Sequence, residues 1–312
     1  MQRKSGKKWI SFLLVLCIAL SGVSCGGNAS GASRPQTDPE TFYEIPEMRT
    51  ASFHADAAEG NGEVLMDLSC VNEGYMALKV ETDARVKLQV LKDEETYTYE
   101  VRNGEEEIFP LQCGDGDYIF RVMKNIEDNK YYEIYHEEVT VSLEDEFDPF
   151  LRPNQYASFY DGRECVALAR SLAEQSHSDV DFIGKVYDYV VKSITYDDEK
   201  AQMAVDGKLR GYVPDPDRTL EEKKGICFDY ACLTASMLRS QGIPTKIIFG
   251  YVAPDDLYHA WNMFYTEEGG WVTVKFSAPG NDWSRIDLTF SANGASNKFI
   301  GDGSNYLDVY QF

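Results

Sequence analysis

Apolar and polar residues change their spacing twice along this chain. Between residues 51 and 145 they alternate. Tyr75–Val80, Val86–Leu91, Tyr97–Val101, Tyr118–Val122 and Glu138–Val141 bring an apolar side chain to every second position, the period of a strand with one face in a core and one in water. Turn clusters at Asn103-Gly104 and Gly114-Asp115-Gly116-Asp117 separate them. Short strands at this regular spacing predict a β-sandwich over 51–145. Residues 146–160 then hold Pro149 and Pro153 beside a run of charge and read as a linker. After it, Glu164–Glu174 and Val180–Ile194 carry apolar residues three and four apart, which predicts helices. Residues 198–222 are charged and turn-rich, and the pattern predicts a loop with no more than two short turns. Residues 225–243 predict an amphipathic helix, with Ala231, Leu233, Thr234, Met237 and Leu238 on its apolar face and Gly242 as its stop. Strands follow at Ile247–Val252, Tyr258–Tyr265, Trp271–Phe276 and Trp283–Phe290. The order of elements is that of an α+β protein, with 161–312 as a second domain.

The first residues have another origin. Arg3, Lys4, Lys7 and Lys8 precede an apolar run from Trp9 to Leu20, which is too short for a membrane span and reads as a secretory signal over 1–24. Ser21-Gly22-Val23-Ser24 before Cys25 resembles the lipobox of bacterial lipoproteins, although Gly22 departs from the branched residue usual three places before the cysteine. The resemblance implies that Cys25 is lipidated and anchors the chain to the outer face of the bacterial membrane, with residues 25–50 as a flexible tether. A plain cleavable signal with an incidental cysteine is the alternative, and it also exports the protein.

Bulk composition narrows the partners. With 43% hydrophobic and 26% charged residues the chain has material for two cores, against disorder or a polytopic membrane protein. Its formal charge of −22 disfavours nucleic acid as a partner. Loss of the basic leader would make the charge more negative still, so the body would be repelled by anionic lipid headgroups. The expected molecule is a monomer.

Seven cysteines are present. The five after Cys25 are Cys70, Cys113, Cys165, Cys227 and Cys232, an odd number, so at least one stays unpaired within the chain. Cys70 and Cys113 share the N-terminal segment, and spacing leaves their pairing open. No clustered Cys/His set appears, so neither a metal nor another cofactor is expected. Cys227 falls at the start of the helix predicted over 225–243, where the positive end of the helix favours the thiolate. Cys232, inside the same helix, reads as an ordinary core thiol. Of the four histidines, His54 and His136 fall in the tether and β region and His177 in a polar turn, whereas His259 lies on a strand of the domain that holds Cys227. A thiol nucleophile needs a base, and the base needs a third group to orient it. Asp287, between Ile286 and Leu288, suits that role; Lys275, on the strand before it, has no lone pair to offer an imidazolium.

Together Gly225-Ile226-Cys227-Phe228-Asp229-Tyr230-Ala231, Gly242-Ile243-Pro244-Thr245, Gly250-Tyr251, His259-Ala260-Trp261-Asn262 and Asp287-Leu288-Thr289-Phe290 resemble the core of the transglutaminase-like superfamily. The resemblance spans roughly residues 160–300. It implies a papain-like domain in which the cysteine-bearing helix packs on an antiparallel sheet, a Cys227–His259–Asp287 triad, and a thioester formed from a protein or peptide carboxamide, with cell-wall-associated substrates among the expected partners. Hydrolysis by a protease or deamidase is expected over crosslinking. A side-chain oxyanion donor is also implied, and Tyr196 is the candidate. The family commonly places its aspartate on the strand directly after the histidine, in a Trp-x-x-x-Asp pattern. Lys275 holds that spacing here and Trp283-x-x-x-Asp287 repeats it, which reads as an inserted hairpin; if Lys275 is the true equivalent, the triad is broken. The alternative to an enzyme is an inactive surface binding module on the same fold.

Overall fold

The computed structural model describes residues 42–253, 257–266, 270–273 and 306–312. Cys25, Lys275 and Asp287 lie outside the described residues. In chain order the first eight strands are β1 (Glu59–Gly60), β2 (Val64–Asp67), β3 (Tyr75–Val80), β4 (Val86–Lys92), β5 (Glu95–Val101), β6 (Glu106–Pro110), β7 (Gly116–Glu127) and β8 (Lys130–Val141). They form two antiparallel four-stranded sheets, ordered β1-β2-β3-β6 and β5-β4-β7-β8. The inward positions of both sheets, among them Met66, Leu78, Leu88, Val90, Phe109, Phe120 and Val122, meet in one apolar cluster. This is the sandwich that the alternation predicts. β7 and β8 are twelve residues each, longer than the apolar pattern suggests. Residues 130–138 of the hairpin are exposed or half-buried, with Ile134 and Tyr135 side by side against the core, so the stretch carries no clean period-two signal.

The second half consists of α1 (Glu164–Glu174), α2 (Asp179–Ser193), β9 (Thr195–Tyr196), α3 (Asp198–Val205), α4 (Pro216–Glu222), β10 (Lys224–Gly225), α5 (Cys227–Arg239), β11 (Thr245–Val252), β12 (Leu257–Thr266), β13 (Gly270–Thr273) and β14 (Tyr306–Gln311). The last four strands form an antiparallel sheet ordered β13-β12-β11-β14. Two expectations change. The stretch 198–222 holds two short helices, started by the side chains of Asp197 and Asp215, which accept from Lys200 N and from Asp217 N and Arg218 N. The helix after Gly225 is not amphipathic, because every residue from Asp229 to Arg239 is buried. Its small side chains, Ala231, Cys232 and Ala235, pack toward the sheet and sandwich. Its large ones, Tyr230, Leu233, Met237 and Leu238, pack toward α1 and α2. Gly242 closes it with φ +85°.

The linker is part of the packed body. Tyr156 meets Tyr99 of β5 at 5.7 Å, Phe228 of α5 at 5.2 Å and Phe312 at 5.0 Å between ring centroids. Residues 42–50, which composition assigns to the tether, lie on the helical half. Tyr43 stacks on Phe182 at 5.7 Å and its hydroxyl donates to Gln241 O at 2.7 Å.

Buried carboxylates make this fold sensitive to acid. Asp67 is 1% exposed; burial opposes its charge, but hydrogen bonds from Ser69 and His54 outweigh that and hold it below the ordinary carboxylate value. Asp217 is lowered in the same way, against burial, by Cys165 N–H and the Arg163 guanidinium. Both values are depressed on folding, so their contribution is present above the unfolded-chain value near about 4 and is lost as pH falls through the lower folded-state values. Urea midpoints of the wild type should therefore fall more steeply below about pH 4 than those of Asp67→Asn; parallel curves would exclude this role for Asp67.

Candidate active site

The site is built around the start of α5. Cys227 is its first residue, in the first turn where backbone N–H groups lack intrahelical acceptors. The chain reaches it through a two-residue parallel pair in which Gly225 of β10 lies opposite Tyr196 of β9. Asp229 then folds back, and its Oδ2 accepts the Ile226 N–H at 2.7 Å, one half of a capping box. A side chain at Gly225 would put its Cβ 2.6 Å from Asp229 Cβ, so only glycine lets the carboxylate take this position.

Asp229 is 1% exposed and is compensated. Lys200 of α3 donates to both of its oxygens, at 2.8 and 2.9 Å, and the Tyr212 hydroxyl donates to Oδ1. Burial, and then the neighbouring carboxylate, push the Tyr212 phenol far up, so it remains a donor. The consequence for Cys227 is electrostatic. The carboxylate two residues along from Cys227 is thus matched by a cation at hydrogen-bond distance.

The strand β12 runs alongside α5 in the same sense. Ala260 packs with Ala231, Cys232 and Ala235, Asn262 Nδ2 donates to Ala231 O at 3.0 Å, and Phe264 joins Leu233 and Met237. His259 therefore stands at the end of the strand that accompanies the start of the helix. Its imidazole is 3% exposed. The pleat of β12 turns Tyr258, Ala260, Asn262 and Phe264 toward α5 and His259 with Trp261 to the opposite face, where the two rings stack at 6.4 Å. The structure thus brings the Cys227 and His259 segments together and sets the ring on the far side of its strand.

Tyr196 lies near Cys227 in backbone but packs against the helical cluster, whereas Cys227 and Phe228 pack toward the sandwich cluster. Tyr258 occupies the ground on Cys227's side. It stacks on Phe249 at 6.1 Å, which in turn meets Phe228 at 4.9 Å, and it is 50% exposed. Its phenol is pushed up to about 12 by burial first, then by Tyr310, Tyr251 and Cys227. Sequence reasoning passed over Tyr258, Asp229, Lys200 and Tyr212. The one available signal was an acidic residue in the first turn of a mostly apolar helix, since a buried charge demands a partner.

The other thiols are of a different kind. Cys165 and Cys232 are buried, and burial pushes both upward. All five described cysteines are free. Among the described residues no group of three or more His, Cys, Asp or Glu could hold a metal ion.

Residues 166–276 match the family model of the transglutaminase-like superfamily. A 100-residue stretch is 32% identical to an uncharacterized protein of Mycobacterium leprae, over 29% of this chain and 31% of that one, so the match spans about a third of that relative's length. Among solved structures, a Cytophaga hutchinsonii protein described as a candidate cysteine protease shares 14% identity over 76% of this chain and 83% of its own, with a TM-score of 0.38. The periplasmic domain of TgpA from Pseudomonas aeruginosa shares 13% over 85% and 81%, with a TM-score of 0.34. The likeness to the transglutaminase-like superfamily thus rests on residues 166–276. The family match includes Cys227, His259 and Lys275 and ends before Asp287.

The clamp on Asp229 has a measurable consequence. Lys200→Met leaves the carboxylate buried without its cation and should destabilise the fold by about 3 kcal/mol. Tyr212→Phe, which removes one neutral donor, should cost about 1–2 kcal/mol. Chemical unfolding of the two variants checks the order; equal effects would rule out charge compensation as the main role of Lys200.

Proposed function

We propose that this chain is an exported cysteine enzyme that acts on a protein or peptide carboxamide, with Cys227 as nucleophile, His259 as general base and Asp287 as the group that orients it. The observation that carries this reading is the placement of a partly exposed cysteine at the first position of a buried helix, next to the histidine strand, with the nearby carboxylate compensated by Lys200. In the proposed reaction Sγ adds to the carboxamide carbonyl, the imidazole of His259 swings to the Cys227 side of β12 to take the thiol proton and pass it to the departing amine, and a thioester remains. The Cys227 N–H would hold the oxyanion from the helix start. The phenol on Cys227's side is Tyr258, which replaces Tyr196 as the side-chain donor we favour. Water would then release the acid, so the enzyme is proposed to be a protease or deamidase rather than a crosslinking transferase. The proposed setting is the outer face of a bacterial membrane, with the chain held by a lipid on Cys25.

A binding module without catalysis is the second reading. Two observations favour it: the imidazole lies on the far face of β12, and the family match runs through Lys275 rather than Asp287. Iodoacetamide separates the two. In the enzyme, Cys227 of the folded chain alkylates near neutral pH at least about tenfold faster than a free thiol, and His259→Ala removes the excess. Labelling at the free-thiol rate would sink the enzymatic reading. Conversion of a glutamine-containing peptide to its glutamate product with release of ammonia, lost in Asp287→Asn but kept in Lys275→Ala, assigns the third group and the hydrolytic outcome together. Incorporation of an added amine in place of water would overturn hydrolysis alone.

A further inference from the structure

The sheet β13-β12-β11-β14 turns one face toward α5 and the sandwich, and that face is only partly covered. In cross-strand register its side chains stand in three ranks. Ile247 with Asn262 and Phe312 makes the first, Phe249 with Ala260 and Tyr310 the second, and Tyr251 with Tyr258 and Leu307 the third. The small residues of α5, Ala231, Cys232 and Ala235, pack with Ile247, Ala260 and Phe312. The helix begins at Cys227, beside Phe228, whose ring meets Phe249 at 4.9 Å. One more rank, about 7 Å further along the strand, remains past the helix start. Its members are open: Tyr251 is 42% exposed, Tyr258 50% and Leu307 65%.

Single apolar side chains at a surface need no explanation, but three adjacent ones on a chain of formal charge −22 mark a contact site. The rank itself carries no charge, because the pleat turns Asp308, opposite Gly250, to the other face. The rings set its shape. Tyr258 has one face against Phe249, at 6.1 Å and 24°, and Tyr251 meets Tyr258 edge to face, at 5.3 Å and 61°. The two phenol rings therefore make a corner, which Leu307, paired with Tyr251 across the strands, extends with aliphatic surface. A sugar would need a flat, open platform of rings to stack on, whereas a corner of this kind suits a compact apolar side chain. Through Phe249 and Phe228 the corner is continuous with the helix start that carries Cys227.

We propose that Tyr251, Leu307 and the ring of Tyr258 form a specificity subsite that receives an aromatic or branched aliphatic side chain of the substrate peptide, within two residues of the attacked carboxamide. The proposal rests on the reading of Cys227 as nucleophile for its register along the peptide, and on the sheet face alone for its chemistry. An extended peptide advances about 3.3 Å per residue, so two residues cover the distance from the helix start to the third rank. An acidic side chain at that place would lose hydration against uncharged rings, and the corner discriminates against it.

Binding is measured by calorimetry on the full chain carrying Cys227→Ser, so that it is read without turnover. The probes are capped pentapeptides of four alanines around a central glutamine, with one alanine at a time replaced by phenylalanine or by glutamate. At one of the four places phenylalanine should bind at least about tenfold tighter than alanine, and glutamate more weakly than alanine. Tyr251→Ser and Leu307→Ser should each remove most of this preference and leave the Kd of the all-alanine peptide unchanged. The proposal falls if no place prefers phenylalanine, or if the preference survives both substitutions. It falls equally if a chitin oligomer, and not the peptide, loses binding in Tyr251→Ser, or if sedimentation finds a dimer that Leu307→Glu dissolves, since the face then belongs to a glycan or to a second copy. Failure of the enzymatic reading looks different: the wild-type chain would bind the phenylalanine peptide with the same preference and leave its glutamine intact.

Discussion

The chemistry this chain can offer depends on one buried carboxylate. Asp229 closes the entry to α5 by accepting the Ile226 N–H, and its position requires a glycine at 225. A carboxylate at that depth would be costly alone, and Lys200 and Tyr212 make it tolerable by donating three hydrogen bonds. The same contacts bind α3 and the segment around Tyr212 to the helix start. Local capping, loop placement and the field at Cys227 are thus a single arrangement, and altering one member disturbs all three.

At its other end α5 is held by a second buried charge. Arg239 is 0% exposed and donates to the carbonyls of Thr245, Arg152 and Phe312 at 2.8, 3.2 and 3.0 Å. Those acceptors belong to β11, to the linker and to the residue after β14. Burial lowers the guanidinium to about 9, a cost that the carbonyl dipoles offset. The helix is therefore fixed at both ends by charge and along its length by two cores, one shared with the sandwich and one with α1 and α2. A rigid helix is what the nucleophile proposed at its first residue would need, because small displacements of a reacting atom cost large factors in rate.

Environment sorts the cysteines more sharply than spacing does. Cys165 and Cys232 lie in apolar burial that disfavours the anion, while Cys70 and Cys227 are partly exposed, one among hydrogen-bonding side chains and one at a helix start. Cys227 and Cys232 are five residues apart on one helix, and the difference between them is solvent and neighbours, not sequence.

The sequence by itself determined the sandwich, the helices α1 and α2, the extent of α5 and the strands β11 and β12, because in each the spacing of apolar residues follows the period of the element that buries them. It also singled out Cys227 and His259, since few residue types can serve as nucleophile and base. It could not reveal the outer part of the β7–β8 hairpin, α3 and α4, or the docking of residues 42–50. Those elements are held by capping side chains and by contacts with distant residues, which leave no period behind. Nor could it distinguish an amphipathic α5 from one buried all round, because a helix between two cores shows small residues on one side and large on the other rather than polar against apolar. Tertiary structure alone decided that Lys200 and Tyr212 meet Asp229, that Tyr258 stacks on Phe249 beside Phe228, and that the His259 ring shares a face with Trp261. Each depends on which face of an element meets which neighbour, and a one-residue change of register would reverse it.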